Sequence, residues 1–136
     1  MARIVLTNAY VTINSVDVSD HVASVTLNSS IDVVETTAFS STAARTRIGG
    51  LADNSITLEF HQDYASGSIE ATVYPLLGST TSVVVKPNGT TTSASNPSYT
   101  STVLVSEWTP LNGAVGELAT ASVTWPVSGA ITKATA

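Results

Sequence analysis

The side chains able to do chemistry are few and scattered. His21 and His61 are the only histidines. His61-Gln62-Asp63 places a histidine and a carboxylate two positions apart, on one side of an extended strand, where they could hold a metal weakly. Strong zinc sites need more ligands at tighter spacing, so a hydrogen-bonded surface histidine is the better reading. Glu35 and Glu59 fall on two strands expected to be neighbours, and could pair as catalytic carboxylates. Such pairs come with aromatic sugar platforms, and aromatics make up only 6% of this chain. Solvated or lumen-facing acids are the better reading, with Asp32 and Asp63 as further candidates. No serine sits in a Gly-x-Ser-x-Gly elbow. Gly49-Gly50 lacks the Lys-Ser/Thr that completes a phosphate loop. With no cysteine there is neither thiolate chemistry nor a disulfide framework. Asn28-Ser29-Ser30 and Asn88-Gly89-Thr90 match the glycosylation pattern, which has no meaning without secretion. Trp108 and Trp125, near strand ends, read as core or interface plugs. The residues thus point to no enzyme, no metal and no cofactor.

The elements that position these groups centre on residues 31–63. Residues 31–37 read as a β-branched strand carrying Asp32 and Glu35. Residues 55–62 alternate, with Ile56, Leu58 and Phe60 on one face and Ser55, Thr57 and Glu59 on the other, the period of a half-buried strand. Residues 39–54 between them are too long for a tight hairpin and read as a long inter-strand arm. The arm has Phe39, Ile48 and Leu51 as apolar anchors. Arg45 and Arg47, two of the five basic residues, are its polar grips. Gly49 and Gly50 are expected to bend at positive φ. This mixture suits an arm ordered by a neighbouring subunit, with the arginines gripping acids on that neighbour.

Around this centre, residues 3–7 and 9–13 read as short strands, and residues 16–18 as another. Residues 19–22 read as one helical turn capped by Ser19 or Asp20. Residues 24–28 form a strand with Val25 and Leu27 inward. Residues 66–77 are the one helix candidate, with Ile69, Val73, Leu76 and Leu77 as its stripe, Pro75 as a disturbance and Gly78 as its end. Strands follow at 81–86, 99–108 and 118–125, with an edge strand at 129–132. A Thr/Ser-rich loop is expected at 91–97. Seven to nine strands and one helix, with regular turn signals, predict a mainly β fold: a β-sandwich or partly closed β-barrel with one flanking helix, as a single domain over residues 1–136.

Composition narrows the role. Hydrophobic residues are 43% and charged residues 11% of the chain, so Ser and Thr fill the polar faces. That suits broad subunit contacts better than a free monomer, whose strand edges are commonly defended by charge. A net charge of −5 offers no basic stripe for nucleic acid. No apolar run reaches membrane-spanning length. The opening residues turn polar too soon for a signal peptide, which suits assembly in the cytoplasm.

Several segments, taken together, resemble the tail tube proteins of long, non-contractile-tailed bacteriophages. They are Val16-Asp17-Val18-Ser19-Asp20-His21-Val22, Asp32-Val33-Val34-Glu35-Thr36-Thr37 and Arg45-Thr46-Arg47-Ile48-Gly49-Gly50-Leu51. Asp53-Asn54-Ser55-Ile56-Thr57-Leu58-Glu59-Phe60 and Ala121-Ser122-Val123-Thr124-Trp125-Pro126-Val127-Ser128-Gly129 complete them. The resemblance covers most of the chain and implies a fold shared with contractile-tail and type VI secretion tubes. It also implies hexameric rings joined sheet edge to sheet edge, stacking through the long inter-strand loop, and a β-lined channel that DNA passes without specific binding. Other tail proteins (tape measure, terminator, tip) are the implied partners, and the virion tail is the implied location. On this resemblance the chain is expected to be a short member of the family, without the appended immunoglobulin-like domain that some members carry. A capsid decoration or head–tail joining protein, and a small surface carbohydrate- or receptor-binding β-sandwich, are the alternative readings.

Overall fold

Two antiparallel sheets face each other in a β-sandwich-like arrangement. The computed structural model describes residues 3–39 and 43–136, so residues 40–42 of the expected arm lie outside it. The strands are β1 (Tyr10–Ile13), β2 (Val16–Asp17), β3 (Val22–Glu35), β4 (Arg47–His61), β5 (Thr80–Lys86), β6 (Ser98–Leu104), β7 (Thr120–Pro126) and β8 (Thr132–Ala134). One sheet has the order β2-β1-β5-β6-β8 and the other β3-β4-β7.

The core lies between the sheets and follows the alternation of the strands. Ile56, Leu58 and Phe60 of β4 point inward and are fully buried, as their spacing predicts. Val123 and Trp125 of β7 meet them from one side. Val11, Ile13, Val83 and Val103 close the core from the opposite sheet. Phe60 is the hub, with its ring 5.7 Å from Trp108 in an edge-to-face arrangement and 6.3 Å from Trp125. Such pairs add to the burial of their area. Both tryptophans are therefore core plugs. Their indole N–H groups are satisfied: Trp108 Nε1 donates to Glu70 Oε2 at 2.6 Å, and Trp125 Nε1 to the Glu107 carbonyl at 2.9 Å.

Several local expectations are corrected. The strands expected at 24–28 and 31–37 are one, the 14-residue β3, which ends at Glu35. The helix is shorter than its stripe suggested: α1 covers Ile69–Val73, and Tyr74–Leu76 continue as a 3₁₀ turn. Pro75 accounts for the change, since it disfavours helical geometry at Tyr74. Ile69 and Val73 are buried, but Leu77 faces solvent. Gly78 ends the segment at φ +87, where a left-handed residue suits glycine. Residues 19–21 form the expected single turn, but neither Ser19 nor Asp20 caps it; Asp17 Oδ1 accepts the Ser19 amide at 3.0 Å. The Ser19 hydroxyl instead accepts the Val11 amide at 2.9 Å. Residues 3–7 have the composition of a strand but join no ladder. The loop at 91–97 is pinned by the buried Asn96, whose amide group donates to the carbonyls of Asn88, Thr90 and Thr91.

Candidate assembly surface

Half of the expected arm, from Arg47 on, is strand. β4 begins at Arg47 and runs 15 residues, and it pairs with β3 from Val22↔Phe60 to Glu35↔Arg47. The arm is therefore a two-stranded ribbon. Its ladder continues one step further, with the Thr36 amide donating to the Thr46 carbonyl at 2.8 Å. Beyond Ile31 and Ala52 the ribbon leaves the sandwich. Ile31, Val33, Val34, Ile48 and Leu51 are all exposed on it, and Phe39 near the tip is fully exposed. Alternation fails as a guide here because neither face of the ribbon meets the core of its own chain.

The bends at positive φ expected at Gly49 and Gly50 are not there: neither glycine has a positive φ. They sit where the register slips between Ile31 and Val33, and their role is close approach. A Cβ on Gly50 would stand 2.8 Å from Val34 Cγ2, and one on Gly49 3.1 Å from Ile31 Cγ2. Such a slip is a β-bulge, which bends a ribbon and increases its twist.

The two arginines lie near the tip, one in the loop and one opening β4. Arg45 Nη1 is 3.6 Å from Glu35 Oε2, and both side chains are largely exposed. Arg47 stands opposite Glu35 in the ladder. Glu35 therefore has basic neighbours within its own chain.

The four candidate acids are not gathered in one place. Glu59 lies on the outer face of the β3-β4-β7 sheet, between Ser24 and Ser122. That face carries hydroxyls, including Thr57 and Thr124 in mutual contact at 3.2 Å. Asp32 and Glu35 sit out on the ribbon. Glu35 and Glu59 are twelve positions apart when measured along β4 from Arg47, roughly 40 Å at strand rise, so they form no catalytic pair. Asp63 lies past the end of β4, off the polar face of the sheet.

Nor does Asp63 pair with His61. It accepts the Ala65 amide, the Ser68 hydroxyl and His21 Nε2, each at 2.9 Å. His21 Nδ1 faces Asp20 Oδ1 at the same distance. The Ala65 amide, the Ser68 hydroxyl and His21 hold the Asp63 carboxyl below its ordinary range, against a small opposing effect of burial. Burial works against the charged form of His21, but the hydrogen bonds and charges of Asp20 and Asp63 outweigh it and raise its pKa. Spacing along the chain carries no trace of this pairing, which spans 42 residues. Among the described residues, no group of three or more His, Cys, Asp or Glu side chains gathers to hold a metal ion.

Two further features had no sequence signal. An apolar groove of about 520 Å³ opens between the sheets, with Val25 and Leu27 of β3 on one side, Val85 and Tyr99 on the other, and Lys86 and Lys133 at hand. On the opposite side of the sandwich, the chain after β6 crosses to β7, burying Val105 and Trp108 on the way. There the Glu107 carboxylate accepts the Thr124 amide at 2.7 Å.

No family model matches the chain, and no curated protein matches it in sequence. Solved structures do match in fold. A chain of the virion of a native gene transfer agent particle aligns with a TM-score of 0.74 at 11% identity, covering 93% of this chain and 95% of that one. A chain from the tail of an empty gene transfer agent particle, refined helically with C6 symmetry, gives 0.61 at 14% identity, covering 82% and 81%. A chain of the six-fold symmetrised anti-feeding prophage baseplate gives 0.57 at 9% identity, covering 99% and 98%. At these identities what is shared is the fold.

Proposed function

We propose that this chain is a structural subunit of a phage-type tail tube, without enzyme activity, located in the virion tail. Copies join through the edges of the β3-β4-β7 sheet into rings, six to a ring, and the rings stack around a channel that passes DNA. The observation that carries this reading is the ribbon: two long strands with apolar side chains exposed on both, which the rest of the chain leaves uncovered. An exposed apolar patch of this kind marks an interaction surface. Two supports stand beside it. The outer face of the three-stranded sheet offers hydroxyls, Glu59 and, at its end, His61, but no lysine or arginine, a wall along which phosphate slides without being gripped. The fold is shared with chains of gene transfer agent virions and tails.

In this reading the anchors Phe39, Ile48 and Leu51 pack on a neighbouring copy, and Arg45 and Arg47 reach its acids. Glu59 lines the channel, with Asp32 and Glu35 nearer its mouth. Six copies at −5 each carry a formal charge of 6 × −5 = −30 per ring. Tape-measure, terminator and tip proteins are the further partners. The test is light scattering with negative-stain microscopy of the purified chain over a range of concentrations. Rings or tubes with an open centre are expected. A chain that stays monomeric throughout overturns the proposal.

A further inference from the structure

The β3-β4-β7 sheet has two edges, and they are treated differently. β3 and β7 each have a single neighbour, β4. The Thr124 amide of β7 points away from β4, because it donates to the Glu107 carboxylate at 2.7 Å. The Thr120 amide, four positions earlier, likewise points outward and donates to the Asn112 carbonyl at 3.2 Å. Ser122 shares their side of the strand by the two-residue period. Pro126, next in that series, has no N–H to offer. Two outward donors of β7 are thus occupied by the segment that precedes it.

The two contacts of Glu107 differ in kind. Its main-chain carbonyl accepts the Trp125 indole N–H at 2.9 Å, which fixes the segment to the core whatever the side chain does. The side chain itself is exposed, and among the described residues its one hydrogen bond is with the Thr124 amide. A carboxylate accepting a backbone N–H makes a stronger bond than a neutral acceptor does. Bare strand edges pair indiscriminately, and charge on the edge is a common defence.

We infer that Glu107 is a guard on the β7 edge, occupying the Thr124 amide in the free subunit and giving it up to the main chain of a second copy when a ring closes. The inference rests on the edge-to-edge reading above and adds its control. A stray strand offers one or two carbonyls and gains little by displacing the carboxylate. The β3 edge of another copy offers a row of them in register, so correct closure wins where chance pairing does not. On the groove side of the sandwich no such guard lies on β3 among the described residues, which makes the joint head-to-tail, as a closed ring requires.

The experiment compares wild type with Glu107→Ala and Glu107→Gln. Tryptophan fluorescence checks that the Trp125 anchor and the fold are kept, and the Gln variant retains an acceptor oxygen should the Ala variant fold poorly. Amide exchange at Thr124 in the dilute subunit is expected to speed up at least about tenfold in the Ala variant and less in the Gln variant. The lag before assembly should shorten in the same order. Unchanged exchange at Thr124 overturns the guard, as does a wild-type assembly in which Glu107 still holds that amide. A wild type that never assembles, with Thr124 exchange nevertheless faster in the variant, sinks the ring reading and leaves the guard standing.

Discussion

His21 Nε2 and Asp63 Oδ2 stand 2.9 Å apart across 42 residues of chain, and the bond ties the turn before β3 to the junction between β4 and α1. Asp63 is the hub of that junction, because it also receives the Ala65 amide and the Ser68 hydroxyl at the point where α1 begins.

The pair predicts a pH dependence. His21 is raised from its ordinary 6.5, so its contribution is complete below that value and is lost as pH rises through the raised one. Asp63 is lowered from 3.8, so its contribution is complete above that value and is lost as pH falls through the lowered one. The pair therefore contributes fully from about pH 4 to about pH 6.5. The thermal midpoint should fall as pH rises above about 6.5, through the raised pKa of His21. Asp63→Asn should flatten that fall, although Asp20 still faces the ring. An equally steep fall in the variant would remove the pair as its source.

Trp125 is fully buried, opposite Ile56 of the neighbouring strand and beside the Phe60 ring. Trp125→Ala should cost about 3–5 kcal/mol by chemical denaturation, the usual range for emptying an aromatic core position. Trp108→Phe keeps most of the volume but leaves Glu70 without the indole donor, and should cost less. A larger loss at Trp108 would mean that the Glu70 bond outweighs packing.

Gly50→Ala forces a Cβ to within 2.8 Å of Val34 Cγ2. Val34 is β-branched and turns poorly at χ1, so relief must come from the backbone. Amide exchange should show the ribbon opening more easily by about 1–3 kcal/mol. Adding Val34→Ala should restore most of it, a coupling that a double-mutant cycle reads directly. Additive effects would show that the two side chains do not meet.

Arg45→Glu with Arg47→Glu should leave the fold intact by circular dichroism. The Arg45–Glu35 pair is exposed, and such pairs contribute under about 1 kcal/mol. If the arginines meet acids on a neighbour, losing those contacts costs about 2–5 kcal/mol at each copy. Stacked tubes should then disappear under the microscope. Normal tubes from the double variant would free the arginines of that role.

What the sequence showed of all this followed burial. Where one face of a strand meets the core, as at Ile56, Leu58 and Phe60, the period of two is plain and the reading is right. Past Ala52 both faces are exposed, so apolar residues fall at Ile48, Leu51, Val33 and Val34 without alternation, and Gly49-Gly50 looks like a bend. A strand therefore reads as a loop there. The helix stripe overran because Leu76 and Leu77 fit its spacing, and the ring of Pro75 decides otherwise. Contacts set by tertiary approach, such as His21 with Asp63 or Glu107 with Thr124, leave no local pattern.

β3 and β4 run 14 and 15 residues, so the same two strands that hold Leu58 and Phe60 in the core also reach out to Thr36 and Thr46. A hydrogen-bonded ladder about 45–50 Å long runs through the point where it leaves the sandwich, interrupted there by the one-residue slip at Gly49-Gly50. The subunit is thus a rod set in a socket. A sideways load near Phe39 becomes a torque at Phe60 and Trp125, and the bulge at Gly49-Gly50 is where the rod yields first. A column of such parts would resist bending because every tip is braced by the core of its own chain.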